Sequence, residues 1–155
     1  MIAPKISCTD NDAIVEVKHH GQILALILRS TFSPAGIHFL TPGDFSQQLG
    51  YMRHPSGKII EPHVHNVVRR EVTLTQEVLF IRRGRVRVDF YDDERAYLYS
   101  HELRAGDVVL LAKGGHGFEM LEESEIIEVK QGPYAGDMDK TRFVAVDSEH
   151  LKTVD

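Results

Sequence analysis

Short apolar runs, each ended by Gly, Pro or Asp, set the rhythm of this chain, and that rhythm limits its folds most. Ile14-Val15-Glu16-Val17-Lys18, Ile23 to Arg29, Ile37 to Leu40, Gln47 to Arg53, Lys58 to His65, Val78 to Ile81, Val86 to Phe90, Tyr97 to Leu103, Val108 to Leu111, Phe118 to Leu121 and Glu125 to Gln131 all read as strands. The breaks fall at His20-Gly21, Pro42-Gly43-Asp44, Pro55-Ser56-Gly57, Arg83-Gly84 and Ala105-Gly106-Asp107. No 3.6-residue periodicity is sustained; Asp44 to Leu49 offers at most one helical turn. Many short strands at regular spacing predict an all-β sandwich or barrel. Hairpins are expected around His20-Gly21 and around Arg83-Gly84, the second pairing Val78 to Ile81 with Val86 to Phe90. Val86, Val88 and Phe90 alternate cleanly, so they share a core face. Val78 to Ile81 and Val108 to Leu111 are apolar on both faces. Their outer faces are therefore expected to lie under the N-terminal hairpin or a second subunit.

At 155 residues the chain is expected to form one domain with a proper core. Its 18 Lys and Arg against 23 Asp and Glu give a net charge of −5, which argues against nucleic acid or an anionic membrane as partner. The densest basic stretch, Arg82-Arg83-Gly84-Arg85-Val86-Arg87, reads as a solvated strand face. Cys8 is the single cysteine, so no internal disulfide can form. No long apolar stretch follows Met1-Ile2-Ala3-Pro4-Lys5, and the longest apolar run, Ile23 to Leu28, is far short of a membrane span. A cytoplasmic location is expected.

His63 and His65 carry the chemistry. On a strand they would point to one side, with Val64 turned away. Two imidazoles side by side, with a carboxylate and a third His available later, suit a first-row transition metal. The order Gly57, His63, His65, Glu77, Gly84, then Gly106, Gly114 and His116, resembles the two motifs of the cupin superfamily over residues 47–131. Eleven residues separate His65 from Glu77, more than the family usually has, so a loop or hairpin must bring Glu77 back. In the second motif Ala112 stands in place of Pro and Met120 in place of Asn.

The resemblance implies a double-stranded β-helix, a jelly-roll barrel, in residues 47–131. N-terminal strands in 1–46 would pack on the barrel or a dimer partner, with a C-terminal tail in 132–155. It implies one divalent metal (Fe, Mn, Ni, Cu or Zn) on His63, His65, Glu77 and His116, with Glu71 a rival carboxylate. A homodimer is also implied, since cupin dimers commonly trade N-terminal strands. Glycines 114, 115 and 117 around His116 suggest special dihedrals or close approach. The other histidines, His19, His20, His38, His54, His101 and His150, fit no ligand spacing and are expected at the surface.

Tyr51 and Gln48 are candidate catalytic residues, since a polar side chain pointing into a barrel is costly unless used. Phe118 and Met120 should floor the pocket. Residues 128–143 read as a plain C-terminal wrap; the alternative is a lid over the pocket, with Lys130 or Arg142 meeting an anionic substrate. The expected function is a metal-dependent enzyme on a small polar molecule, by isomerase, lyase or dioxygenase chemistry. The alternatives are a metal-free isomerase or epimerase of (nucleotide) sugars with a His base, and a non-catalytic binding barrel.

Overall fold

A computed structural model describes residues 11–154. The opening segment from Met1 to Lys5, and Cys8, lie outside the described residues. Ten strands form: β1 (Ile14–His19), β2 (Gln22–Leu28), β3 (Gly36–Phe39), β4 (Gly50–Arg53), β5 (Glu77–Arg83), β6 (Arg85–Tyr91), β7 (Tyr97–Arg104), β8 (Val108–Leu111), β9 (Gly115–Met120) and β10 (Glu125–Lys130). The remaining regular structure is three single 3-10 turns, and among the described residues no helix is long and apolar enough to cross a membrane. The fold is all-β.

β1 and β2 form the expected hairpin. His20 and Gly21 both take positive φ, 48° and 76°, the backbone that a tight two-residue turn between right-twisted strands requires. One sheet runs β1-β2-β8-β5-β10 and a second β7-β6-β9, with β3–β4 as a separate hairpin. Every pairing between these strands is antiparallel. From β5 the chain crosses to the smaller sheet for β6 and β7, returns for β8, crosses for β9 and returns for β10. Among the described residues β9 pairs only with β6, and β10 only with β5, so the described sheets stay open along that side. The result is a sandwich rather than the closed barrel expected.

Three further expectations need correction. Val78 to Ile81 and Val86 to Phe90 do not pair; β5 and β6 belong to different sheets. Gly84 is the crossing point, at φ 84°, where a Cβ would clash with the Glu123 carbonyl oxygen. Crossing there places Ile81 and Val86 on facing sheets, each 0% exposed in the core between them. Lys58 to His65 is not a strand: residues 54–76 join no sheet. The alternating pattern is present there, but among the described residues no neighbouring strand meets it. His101 is not on the surface. It shares the parity of Tyr99 and Leu103 and is buried, with the Phe90 and Tyr99 rings 6.1 and 5.7 Å away.

The core lies between the sheets. Ala25, Ile27, Leu79, Ile81, Val109 and Leu111 line the larger sheet's inner face, against Val86, Val88, Phe90 and Leu103 of the smaller. Burying each large side chain contributes about 1.5–3 kcal/mol relative to exposure, so this face dominates stability. On the outer face Leu28 and Val108 pack beneath Phe32, Leu40, Leu49 and Tyr51. The cover therefore comes from β3–β4 and its flanks, while the N-terminal hairpin extends the same sheet. Farther along that face Phe80, Ile127 and Val129 stay exposed.

The basic stretch is solvated at Arg82, Arg83 and Arg85, whereas the Arg87 side chain is only 14% exposed. Arg82, Arg83, Arg85 and Arg87 each meet a carboxylate, among them Glu125, Glu123, Glu102 and Asp89. Asp107 closes the turn before β8, accepting from Ser30 N at 2.8 Å, Arg104 N at 3.0 Å and Arg29 Nη1 at 3.1 Å. The C-terminal segment lies along β7, where Ser100 N donates to Lys152 O at 2.8 Å and Val154 N to Ser100 O at 2.8 Å.

Gly84→Ala should lower stability by about 1–3 kcal/mol, from the left-handed backbone alone, with the steric conflict against Glu123 added. Urea unfolding followed by circular dichroism measures it; an unchanged midpoint would contradict the crossing described.

Candidate functional site

Glu77 opens β5, and its parity with Leu79 and Ile81 turns it into the sandwich. His116 lies second in β9, opposite Phe90 in register, and with Phe118 it also turns inward. The two strands belong to opposing sheets, yet His116 Nε2 and Glu77 Oε2 are 3.2 Å apart. Both side chains are largely shielded, 13% exposed for Glu77 and 29% for His116. The hydrogen bond from His116 holds the Glu77 carboxyl below its ordinary value of 4.5, against the opposing effect of burial; the charges of His116, Lys130 and Lys140 assist.

The pair lines a cavity of about 930 Å³ at the open end of the sandwich. Phe118 forms part of its apolar wall, whereas Met120, expected beside it, is 49% exposed. Two glycines admit the backbone here. Gly114 has φ 74° and a Cβ on it would meet Tyr91 O at 2.6 Å; a Cβ on Gly115 would meet Phe143 Cζ at 3.0 Å. The glycine cluster around His116 therefore reflects both reasons expected of it. At Gly117 a Cβ would make only an ordinary contact, 3.9 Å from Tyr91.

The tail does two things. Residues 139–143 border the cavity, Phe143 packing on Tyr91 at 5.0 Å and lying under Arg95 at 5.9 Å, while the last residues wrap β7. Lys130, opposite Glu77 in register, is held by Asp139 at 3.4 Å, which raises its pKa. Asp139 also accepts from Thr75 Oγ1 at 3.0 Å, tying the tail to the residues just before β5. Lys130 is thus committed to Asp139 and does not line the cavity, whereas Arg142 lines it and is exposed.

The other site candidates lie elsewhere. His63 and His65 remain neighbours, with ring centres 5.3 Å apart, but they lie on the exposed segment 55–75 and neither lines the cavity. Glu71 borders a separate cavity of about 380 Å³, so position now divides it from Glu77 where strand parity could not. Tyr51 packs edge-on against Phe32 at 5.0 Å on the outer face of the larger sheet. Gln48 closes its own turn, donating to Pro42 O and Phe45 O at 2.9 Å each. Neither residue lines the cavity. Sequence reading missed Arg95 as a wall residue, whereas Phe143 belongs to the tail segment weighed there as a lid.

Three imidazoles and a carboxylate suit a first-row divalent ion in donor chemistry. In placement, one chain supplies only the Glu77–His116 half. Among the described residues no group of three or more His, Cys, Asp or Glu stands ready to hold a metal ion. No family model, curated protein or solved structure matches the chain.

Because folding lowers the Glu77 pKa, the carboxylate contributes stability that is complete above pH 4.5 and is lost as pH falls through the lower folded-state value. In chelator-treated protein, Glu77→Gln should flatten the stability profile below pH 4.5 relative to wild type. Urea midpoints across the acid range test this; parallel profiles would contradict it.

Proposed function

We propose that this chain is a small cupin-type enzyme acting on a small polar molecule in the cavity beside Glu77 and His116. The observation that carries the reading is the approach of those two side chains to 3.2 Å from strands of opposing sheets, 39 positions apart in sequence (116 − 77). The winding supports the cupin reading, since β5 to β10 alternate between two antiparallel sheets as a jelly roll does. A polar ligand suits a wall in which Arg95, Lys113 and Arg142 alternate with Asp92, Asp93 and Glu128.

In this reading Glu77, His116, His63 and His65 hold one divalent first-row metal. When bound, it supplies Lewis-acid polarisation of a substrate oxygen for isomerase or lyase chemistry, or oxygen activation for dioxygenation. The chain's own residues do the rest. Phe118 and Phe143 exclude water from one side of the cavity, and Arg142 is exposed at its edge to meet an anionic group. Ligation needs neutral imidazoles, so affinity falls as pH is lowered.

One observation favours a second reading without metal. Glu77 accepts a hydrogen bond from His116 Nε2 in the chain as it stands, which orients the imidazole as a carboxylate–histidine acid–base pair requires. Proton transfer in isomerisation or epimerisation of a sugar would use that pair.

Elemental analysis of protein purified without chelators separates the two. About one equivalent of Fe, Mn, Ni, Cu or Zn per chain, lost in His116→Ala and weakened at lower pH, supports the metal reading. A folded protein that refuses added metal excludes it. Turnover that survives exhaustive chelation would assign the chemistry to the Glu77–His116 pair alone.

A further inference from the structure

The most anomalous part of the molecule is the arm between β4 and β5. All 21 residues from 55 to 75 are exposed. They include Ile59, Ile60, Val64, Val67, Val68, Val72 and Leu74, with Val64 at 87% and Val67 at 104%. Connections longer than about 12–15 residues without their own structure are uncommon in compact domains unless functional or disordered. One this rich in apolar side chains calls for a cover.

The arm is firmly based. Gln76 is 4% exposed, its side-chain oxygen accepting from Ser46 Oγ at 3.0 Å and Gln47 N at 2.9 Å. Its carbonyl accepts from Gln131 N at 2.9 Å. Thr75 is tied to Asp139 at the cavity edge. From Gln76 back to His65 is eleven residues (76 − 65), a reach of up to ~36 Å at 3.3 Å per residue. That is enough to leave its own body and enter a neighbour's cavity. A landing place exists, because among the described residues β9, which carries His116, pairs only with β6, leaving its other edge beside the cavity without a described partner.

We propose that the arm belongs to a second copy of this chain. In a two-fold dimer each arm lays residues 58–65 along the partner's β9 edge, adding a strand to the three-stranded sheet. Strand parity then turns His63 and His65 together toward the partner's Glu77 and His116, with Val64 on the other face. The inference rests on the metal reading above and adds that each centre is shared between subunits. Size agrees: a stable interface takes about 20–30 residues from each side, and the arm alone offers 21. The apolar surface left bare on Phe80, Ile127 and Val129 lies on β5 and on β10, the strand that follows β9.

Complementation between two differently tagged variants tests it. His63→Ala/His65→Ala breaks one half of the centre and Glu77→Gln/His116→Ala the other. The two are co-expressed, the mixed dimer is isolated through both tags, and cobalt(II) is titrated while its visible ligand-field bands are followed. Each variant alone should bind no cobalt, wild type about one ion per chain, and the mixed dimer about one ion per two chains, since one shared centre is intact. A mixed dimer without cobalt, when wild type binds it, would place all four ligands in one chain and overturn the proposal while leaving the metal reading intact. A wild type that binds none removes both. Light scattering gives a check that does not need the variants to load metal: wild type should be a dimer, and replacing residues 58–70 with a short Gly-Ser linker should yield a folded monomer. A wild-type monomer at micromolar concentration would also overturn the proposal.

Discussion

The contact between the inner faces of the two sheets is the interaction on which everything else depends. Ile27, Ile81, Val86, Val88, Leu103 and Val109 are completely buried there, and their transfer from water is the dominant favourable contribution. That packing also brings β5 against β9. Glu77 and His116 sit at the end of the same inward-facing rows, so the forces that close the core also close the distance between a carboxylate and an imidazole. A polar pair at the rim of an apolar layer is stable because each satisfies the other and solvent still reaches one side.

Around that pair, the backbone has been cleared of side chains where it must approach other elements. Gly84 lets the chain pass between sheets, and Gly114 and Gly115 let β9 begin against Tyr91 and Phe143. The tail then returns over the opening, held by Asp139 to Thr75 and Lys130. Three distant segments of sequence thus meet at one mouth: the residues before β5, the start of β9 and residues 139–143. Their charges nearly balance, which leaves the Glu77–His116 pair as the feature with directed chemistry.

The arm presents the opposite situation. Residues 58–65 keep the alternation of a strand, and His63 and His65 keep their adjacency, yet among the described residues no strand pairs with them. A strand is defined by its partner as much as by its own pattern, since its backbone groups must be satisfied laterally. The open edge of β9 and the unpaired arm are complementary in that respect, and a second copy is the shortest way to supply one to the other.

The sequence by itself determined the all-β class, the strands from β5 to β10 to within a few residues, the inward set Val86, Val88 and Phe90, and the glycines needed around His116. These depend on alternation, turn chemistry and backbone sterics, which act over a few residues and are legible locally. Only the tertiary structure decided that Gly84 is a crossing and not a hairpin, that His101 is interior, that Glu77 and not Glu71 faces His116, and that Tyr51 and Gln48 belong to the outer face and to a turn. Each of those outcomes depends on which sheet a strand joins and which of its faces is covered. Parity cannot supply that, because residues two, four or six apart look alike until a second sheet settles on one side.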